Sequence, residues 1–299
     1  MIVKTDDHDK VCFHGGAFFQ GIGEDCQTLE RRNDIINADV LDAWFDPSPK
    51  VLEAITAHLP WIARTSPPTN CTGLIDAIAT ARGVPSSCIL PGAGSSDLIF
   101  LALRHYIKKS SKVLILDPMY GEYAHICKQV IGCDLDYFPL HLEDQFQINI
   151  KTLSQQLLSK SYDMVIMVNP NSPTGQYLDQ QVFQDLIAQI PNKTMFWIDE
   201  TYIEYVGSAY SLESFACMRE NVIVCKSMSK VYALSGFRAA YLCASAALIE
   251  PLRLLNPPWS VSLPGQIAAI YALQDPSYYQ EKYQQTLLAG KDMQQELES

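Results

Sequence analysis

Positive charge is scarce in this sequence. Its 299 residues include 22 lysines and arginines against 33 aspartates and glutamates, a formal net charge of −11. A nucleic-acid footprint needs clustered positive charge, and so does a polybasic membrane-binding surface, so the balance argues against both. Long apolar runs are missing too. None approaches the roughly 18 residues that signal a membrane-crossing helix. The N-terminus, Met1-Ile2-Val3-Lys4-Thr5-Asp6-Asp7, lacks the apolar stretch of a secretory leader. No internal repeat or low-complexity tract is visible. Nine cysteines are present, an odd number, and no pair has Cys-x-x-Cys spacing. That argues against a disulfide-stapled secreted domain and against a zinc ribbon. Most lie in apolar runs such as Val222-Ile223-Val224-Cys225, where they read as small hydrophobes kept reduced. A soluble cytoplasmic protein is expected.

What is present is an ordinary globular composition, 48% apolar and 18% charged, on a chain long enough for two domains or one large α/β domain with additions. Residues 1–68 have little regular pattern beyond a helix expected over Val51–His58, after Asp46-Pro47-Ser48-Pro49. They read as an arm that wraps something. From Cys71 the chain alternates helices with short apolar strands. Strands are expected at Cys88–Leu90, Val113–Leu116, Leu135–Phe138, Met164–Val168, Met195–Ile198, Val222–Cys225 and Ala239–Leu242. Helices are expected at Asp97–Ile107, Tyr123–Ile131, Gln181–Ile190 and Ala247–Leu255. Near-continuous apolar strands between helices imply a mainly parallel sheet covered on both faces. The division expected is an arm (1–68), a large α/β domain (69–255) and a helical segment (256–299).

In such sheets ligands bind at the carboxyl ends of the strands. Five strand ends carry polar or special residues here: Gly92-Ala93-Gly94-Ser95-Ser96, Asp117-Pro118-Met119-Tyr120, Asn169-Pro170-Asn171-Ser172-Pro173-Thr174-Gly175, Asp199-Glu200-Thr201-Tyr202, and Lys226-Ser227-Met228-Ser229-Lys230 with Arg238 following. Each has an ordinary explanation. Gly92–Ser96 reads alone as a strand-to-helix turn capped by Ser95. Asn169–Gly175 is turn chemistry, Asp199 a loop cap, Lys230 a solvated lysine and Arg238 a structural ion pair. Those explanations must all hold at once, at ends that face one crevice. A single ligand accounts for them together. Its anionic end meets a helix N-terminus, Ser227, Ser229 and Arg238. Its aromatic ring lies on Tyr120, its basic ring nitrogen meets Asp199, and its phenolic oxygen meets Tyr202 and an amide. Its aldehyde meets Lys230 as imine partner. Pyridoxal 5'-phosphate has all these features.

The order and spacing of these motifs resemble the class I/II aminotransferases of pyridoxal-phosphate fold type I, within the branch of histidinol-phosphate aminotransferase and threonine-phosphate decarboxylase. Ile36-Asn37-Ala38-Asp39 also has a counterpart there, and the likeness runs from about Asn33 to the end. The resemblance implies that Lys230 forms the internal aldimine, Asp199 keeps the pyridinium protonated, Tyr202 donates to the ring oxygen and Tyr120 stacks on the ring. It places the phosphate on Gly94, Ser95, Ser227, Ser229 and Arg238. It implies transfer of an amino group between an amino acid, or an amino-acid phosphate such as histidinol phosphate, and a 2-oxo acid.

Three departures stand out. The family usually has Asn before Pro-Thr-Gly; here Ser172 stands there, so either Asn171 or the Ser172 hydroxyl serves the ring oxygen. Arg64-Thr65-Ser66-Pro67-Pro68 replaces a stretch in which the family tends to have a tyrosine reaching the partner subunit's phosphate. The family continues past the point matching Ser299 into a small domain whose arginine binds the substrate carboxylate; no residue here takes that role, so either residues 256–299 are the start of a truncated small domain or the protein binds substrate differently. Decarboxylation on the same cofactor is the alternative reaction, and a non-catalytic binding protein the alternative class. The arm carries Phe13, Phe18, Phe19, Trp44, Phe45 and Trp61, which need burial, so a homodimer with the arm in the interface is expected.

Overall fold

A computed structural model describes residues 15–299. Cys12, Phe13 and the N-terminal run discussed above lie outside the described residues. All seven expected strands form, within two residues of their expected bounds: β1 (Ile89–Gly92), β2 (Lys112–Asp117), β3 (Asp134–Pro139), β4 (Met164–Val168), β5 (Met195–Asp199), β6 (Val222–Ser227) and β7 (Ala240–Cys243). They join in the order β1-β7-β6-β5-β4-β2-β3. Every pairing from β6 to β3 is parallel, and β7 is antiparallel to both its neighbours. The order reverses between β2 and β4, which makes a crevice at the carboxyl ends there. In register, Val168 lies beside Asp199 and Asp199 beside Cys225, so the ends of β4, β5 and β6 are level.

Both faces of the sheet are covered, as the unbroken apolar runs require. Along β6, Val222 and Val224 face one core, and Ile223 and Cys225 face the other. The helix Ser95–Tyr106 puts Leu98, Ile99, Ala102 and Leu103 on the second core. The helices Thr72–Arg82, Gln180–Gln189 and Leu263–Leu273 cover the first. Asp179 starts one of these by accepting from the amides of Gln181 and Val182. The expected helix Tyr123–Ile131 occurs as Gly121–His125 running on into a wider π-helical turn, Ile126–Ile131. Five helices had no counterpart among those expected: Ala17–Ile22, Thr72–Arg82, Ile150–Ser159, Ile203–Val206 and Glu213–Cys217.

The arm is more regular than expected. Its helix spans Pro49–Ala63 and continues through Pro60. It is pinned by the chain's C-terminal part. Tyr279 Oη accepts from the Ser48 amide at 3.0 Å, Trp44 Nε1 donates to Thr286 Oγ1 at 2.8 Å, and Lys50 Nζ donates to the Gln274 carbonyl at 3.1 Å. Phe45 is buried against the Tyr279 ring. None of the described helices is long and apolar enough to cross a membrane.

Candidate active site

A cavity of about 410 Å³ opens at the carboxyl ends of the strands. Nine of the eleven expected residues line it: Ser95, Tyr120, Ser172, Asp199, Tyr202, Ser227, Ser229, Lys230 and Arg238. Gly94 stands just behind this surface. Its backbone is at φ 91° and ψ 164°, a conformation essentially reserved for glycine. A Cβ there would lie 2.4 Å from Arg238 Nη2, so the missing side chain is what lets the guanidinium rest over the turn. Arg238 Nη1 donates to the Ser235 carbonyl, which fixes the other side of the fork. Ser227 and Ser229 are buried beside this cradle. Asn171 is not a lining residue. Its amide donates to the Pro118 carbonyl and to Thr174 Oγ1, and so holds the turn after β4 to the end of β2. Ser172 is therefore the member of that pair that lines the cavity.

Asp199 ends β5 and is 4% exposed. Tyr123 Oη donates to its Oδ2 at 2.7 Å, and the amide and hydroxyl of Thr201 donate to Oδ1. Trp197 Nε1 in turn donates to Tyr123 Oη at 2.8 Å. Burial pushes the Asp199 carboxyl above its ordinary range, against the pull of those bonds. No lysine or arginine pairs with it among the described residues. A buried carboxylate with three neutral donors and no cation is a site for one. Tyr202 follows in the next turn, pushed up to about 12 by burial and by the Asp199 charge. The Tyr120 ring meets Tyr123 edge-on at 5.9 Å, and its hydroxyl donates to Glu122.

Lys230 follows β6 and points to the cavity. Its Nζ is 2.9 Å from Asp42 Oδ1, and Ser235 Oγ donates to the same oxygen at 2.7 Å. Partial burial raises the Asp42 carboxyl, but the bonds from Lys230 and Ser235 and the charges of Lys230 and Arg238 outweigh it and hold it below its usual range. Asp42 belongs to the arm, whose stretch from Asp39 to Asp42 forms one wall of the cavity. Four functional side chains were not expected from sequence: Asp42, Ser235, Thr201 and Tyr123. Two had a local signal. Thr201 lies two residues after Asp199, the spacing at which Asp caps its own turn. Tyr123 lies three after Tyr120 at a helix start, on the same face.

A glycine-backed arginine cradle, a buried carboxylate without a cation and a lysine amine thus converge on one cavity at the switch of a doubly covered sheet. The profile of the aminotransferase class I and II family matches residues 40–299, and the chain belongs to that family. Among its relatives, a histidinol-phosphate aminotransferase of Staphylococcus aureus is 30% identical over 239 residues, 79% of this chain and 66% of the relative. The crystal structure of histidinol-phosphate aminotransferase from Sinorhizobium meliloti, in complex with pyridoxal-5'-phosphate, superposes with a TM-score of 0.79 at 22% identity, covering 95% of this chain and 74% of that one. L-threonine-O-3-phosphate decarboxylase from Porphyromonas gingivalis gives a TM-score of 0.67 at 21% identity, with 80% and 72% covered. The chain spans 62–66% of the length of the first curated relatives it matches.

Proposed function

We propose that this protein binds pyridoxal 5'-phosphate and transfers an amino group between an amino acid, or an amino-acid phosphate such as histidinol phosphate, and a 2-oxo acid. The observation that carries the reading is the meeting of Lys230, Asp199 and the Arg238–Gly94 cradle in one cavity. The residues fit the cofactor. The space that a Cβ at Gly94 would fill is held by a guanidinium suited to a phosphate, and Asp199 lacks a cation that a protonated ring nitrogen supplies. Bound there, the cofactor supplies an electron sink for bond breaking at the substrate's Cα. Arg238, Ser95, Ser227 and Ser229 hold the phosphate, and Tyr120 offers its ring as a face. Asp199 holds the ring-nitrogen proton, and Tyr202 and Ser172 donate to the ring oxygen. The Lys230 amine takes and returns the proton at the substrate's Cα. The matched relatives named aminotransferases favour transfer over decarboxylation.

Three further readings belong here. The division into an arm (1–68), a large domain (69–255) and a helical C-terminal segment (256–299) is supported by the confinement of all seven strands to the middle part. A cytoplasmic location is supported by eight described cysteines that are all free. A homodimer is supported by arm side chains left exposed, among them Trp44 and Trp61. The test of the central reading is chemical. Protein incubated with pyridoxal phosphate is reduced with borohydride and digested, and the adduct is expected on the Lys230 peptide. An adduct on another lysine, or none, overturns it. Amino-acid turnover is expected to need a 2-oxo acid; carbon dioxide release without one would assign the decarboxylase reaction instead.

A further inference from the structure

We propose that Asp42 is a positioning residue of this site, which holds the Lys230 nitrogen in place and favours a proton on the imine that this nitrogen forms with the cofactor. The inference rests on the cofactor reading above. Two donors converge on one carboxylate oxygen: Lys230 Nζ at 2.9 Å and Ser235 Oγ at 2.7 Å. The hydroxyl fixes the carboxylate, and the carboxylate fixes the amine. The pair sits on the open side of the cavity, with the Asp42 side chain 40% exposed and that of Lys230 25%. Asp42 is thus in place without any further motion of the arm.

The chemistry follows from the atom concerned. Condensation of the neutral Lys230 amine with the cofactor's aldehyde would form a C=N bond. Water would leave with the carbonyl oxygen and both amine hydrogens. The imine nitrogen would then take up the proton that the amine shed before attack, and carry the positive charge. A carboxylate in contact with that nitrogen favours this charged form over the neutral one.

The other charged and titratable groups lining the cavity do not substitute for Asp42. Asp199, after β5, is committed to Tyr123 and Thr201. Tyr202 is held neutral by burial beside Asp199. Tyr120, after β2, donates to Glu122. Arg238 lies over Gly94, and its positive charge repels one at the Lys230 nitrogen. Asp39, on the arm, accepts from the Phe18 amide and makes no ion pair with Lys230.

The visible absorbance of the loaded protein reports this proton directly, because the band moves as the nitrogen gains or loses it. The experiment is a pH titration of that band without substrate, on wild type, Asp42→Asn, Asp42→Glu and Asp39→Asn. Removing the contacting charge disfavours the protonated form, so in Asp42→Asn the midpoint is expected to fall by about one pH unit, a tenfold loss of proton affinity. Asp42→Glu is expected to keep the wild-type midpoint, and so is Asp39→Asn. An unchanged midpoint in Asp42→Asn overturns the inference. An equal fall in Asp39→Asn overturns it too, since a general field would then replace the contact. Wild type that forms no borohydride-fixed adduct on Lys230 removes the cofactor reading itself, an outcome distinct from both.

Discussion

Asp199 and Glu200 are consecutive carboxylates with opposite surroundings, because successive residues at a strand end face opposite sides of a sheet. Asp199 faces the cavity. Replacing it with alanine removes the charge opposite the ring nitrogen but leaves the phosphate cradle, so turnover is expected to fall by roughly 10²-fold or more while the cofactor still loads at high concentration. Near wild-type rates in Asp199→Ala, measured with saturating cofactor, would remove that role. Glu200 lies in the core among Lys226, Glu204, Glu213 and Arg82. Lys226 Nζ is 2.9 Å from Glu204 and 3.6 Å from Glu200, and Arg82 is 2.7 Å from Glu204. Burial, aided by Glu213, raises Glu200 from 4.5 to about 7 against the pull of Lys226. The native state therefore binds an extra proton in that window. Its contribution to stability is full below 4.5 and is lost as pH rises through about 7. Glu200→Gln does not titrate, so its melting temperature is expected to fall less than that of wild type across this window. Parallel calorimetric curves would place the proton elsewhere. At this scale, the place of Asp199 and Lys230 at the cavity was legible because polar residues break off apolar runs at strand ends, and that of Arg238 from the motif that follows Lys230. Asp42 was not, because its partner is 188 positions away and no local pattern links them.

The turn from β1 into the helix Ser95–Tyr106 shows how one element prepares a site. Gly94→Ala puts a Cβ where the guanidinium lies and strains a backbone conformation that costs other residues about 1–3 kcal/mol. The expected result is cofactor affinity about tenfold weaker or worse, measured by titrating the apoprotein with pyridoxal phosphate. Unchanged affinity would mean that the cradle does not hold the phosphate. Elements differed in how far they could be read. Most strands were legible because burial on both faces leaves a nearly unbroken apolar run, as in β4 (Met164–Val168), whereas the edge strand β3 carries Asp136 and is partly exposed. The arm helix was expected to end at His58 and runs on to Ala63, through Pro60, which lacks an amide hydrogen. In the folded chain Pro60 is tolerated one turn from the helix end at Ala63. The helix Ile150–Ser159 was not expected, although Asn149 accepts from the Thr152 amide as its cap and gave a signal in the sequence.

For the whole molecule, the alternation of helices with apolar strands pointed to the layered sheet, but not to which apolar side chains of the arm would stay uncovered. Phe45 is buried within the chain, whereas Trp44 is 61% and Trp61 49% exposed. A second copy is the occupant proposed for that face. Sedimentation equilibrium at micromolar concentration is expected to show twice 33.4 kDa, and a 33.4 kDa species alone rejects the dimer. Removal of the first 30 residues without effect on association would leave the dimer and take away the arm's part in it. The arm's attachment has another consequence, in time rather than space. Its anchors at Gln274, Tyr279 and Thr286 lie 224 to 242 positions later in the chain. A ribosome adding about 5–20 residues per second needs roughly 11 to 48 seconds to make that stretch. Until that stretch is made the nascent arm lacks these anchors, and only the contacts of Asp42 to Lys230 and Ser235, themselves 188 and 193 positions later, can hold its wall. The wall that Asp42 contributes is therefore among the last parts of the site to be built during synthesis, after the strands beneath it have been made.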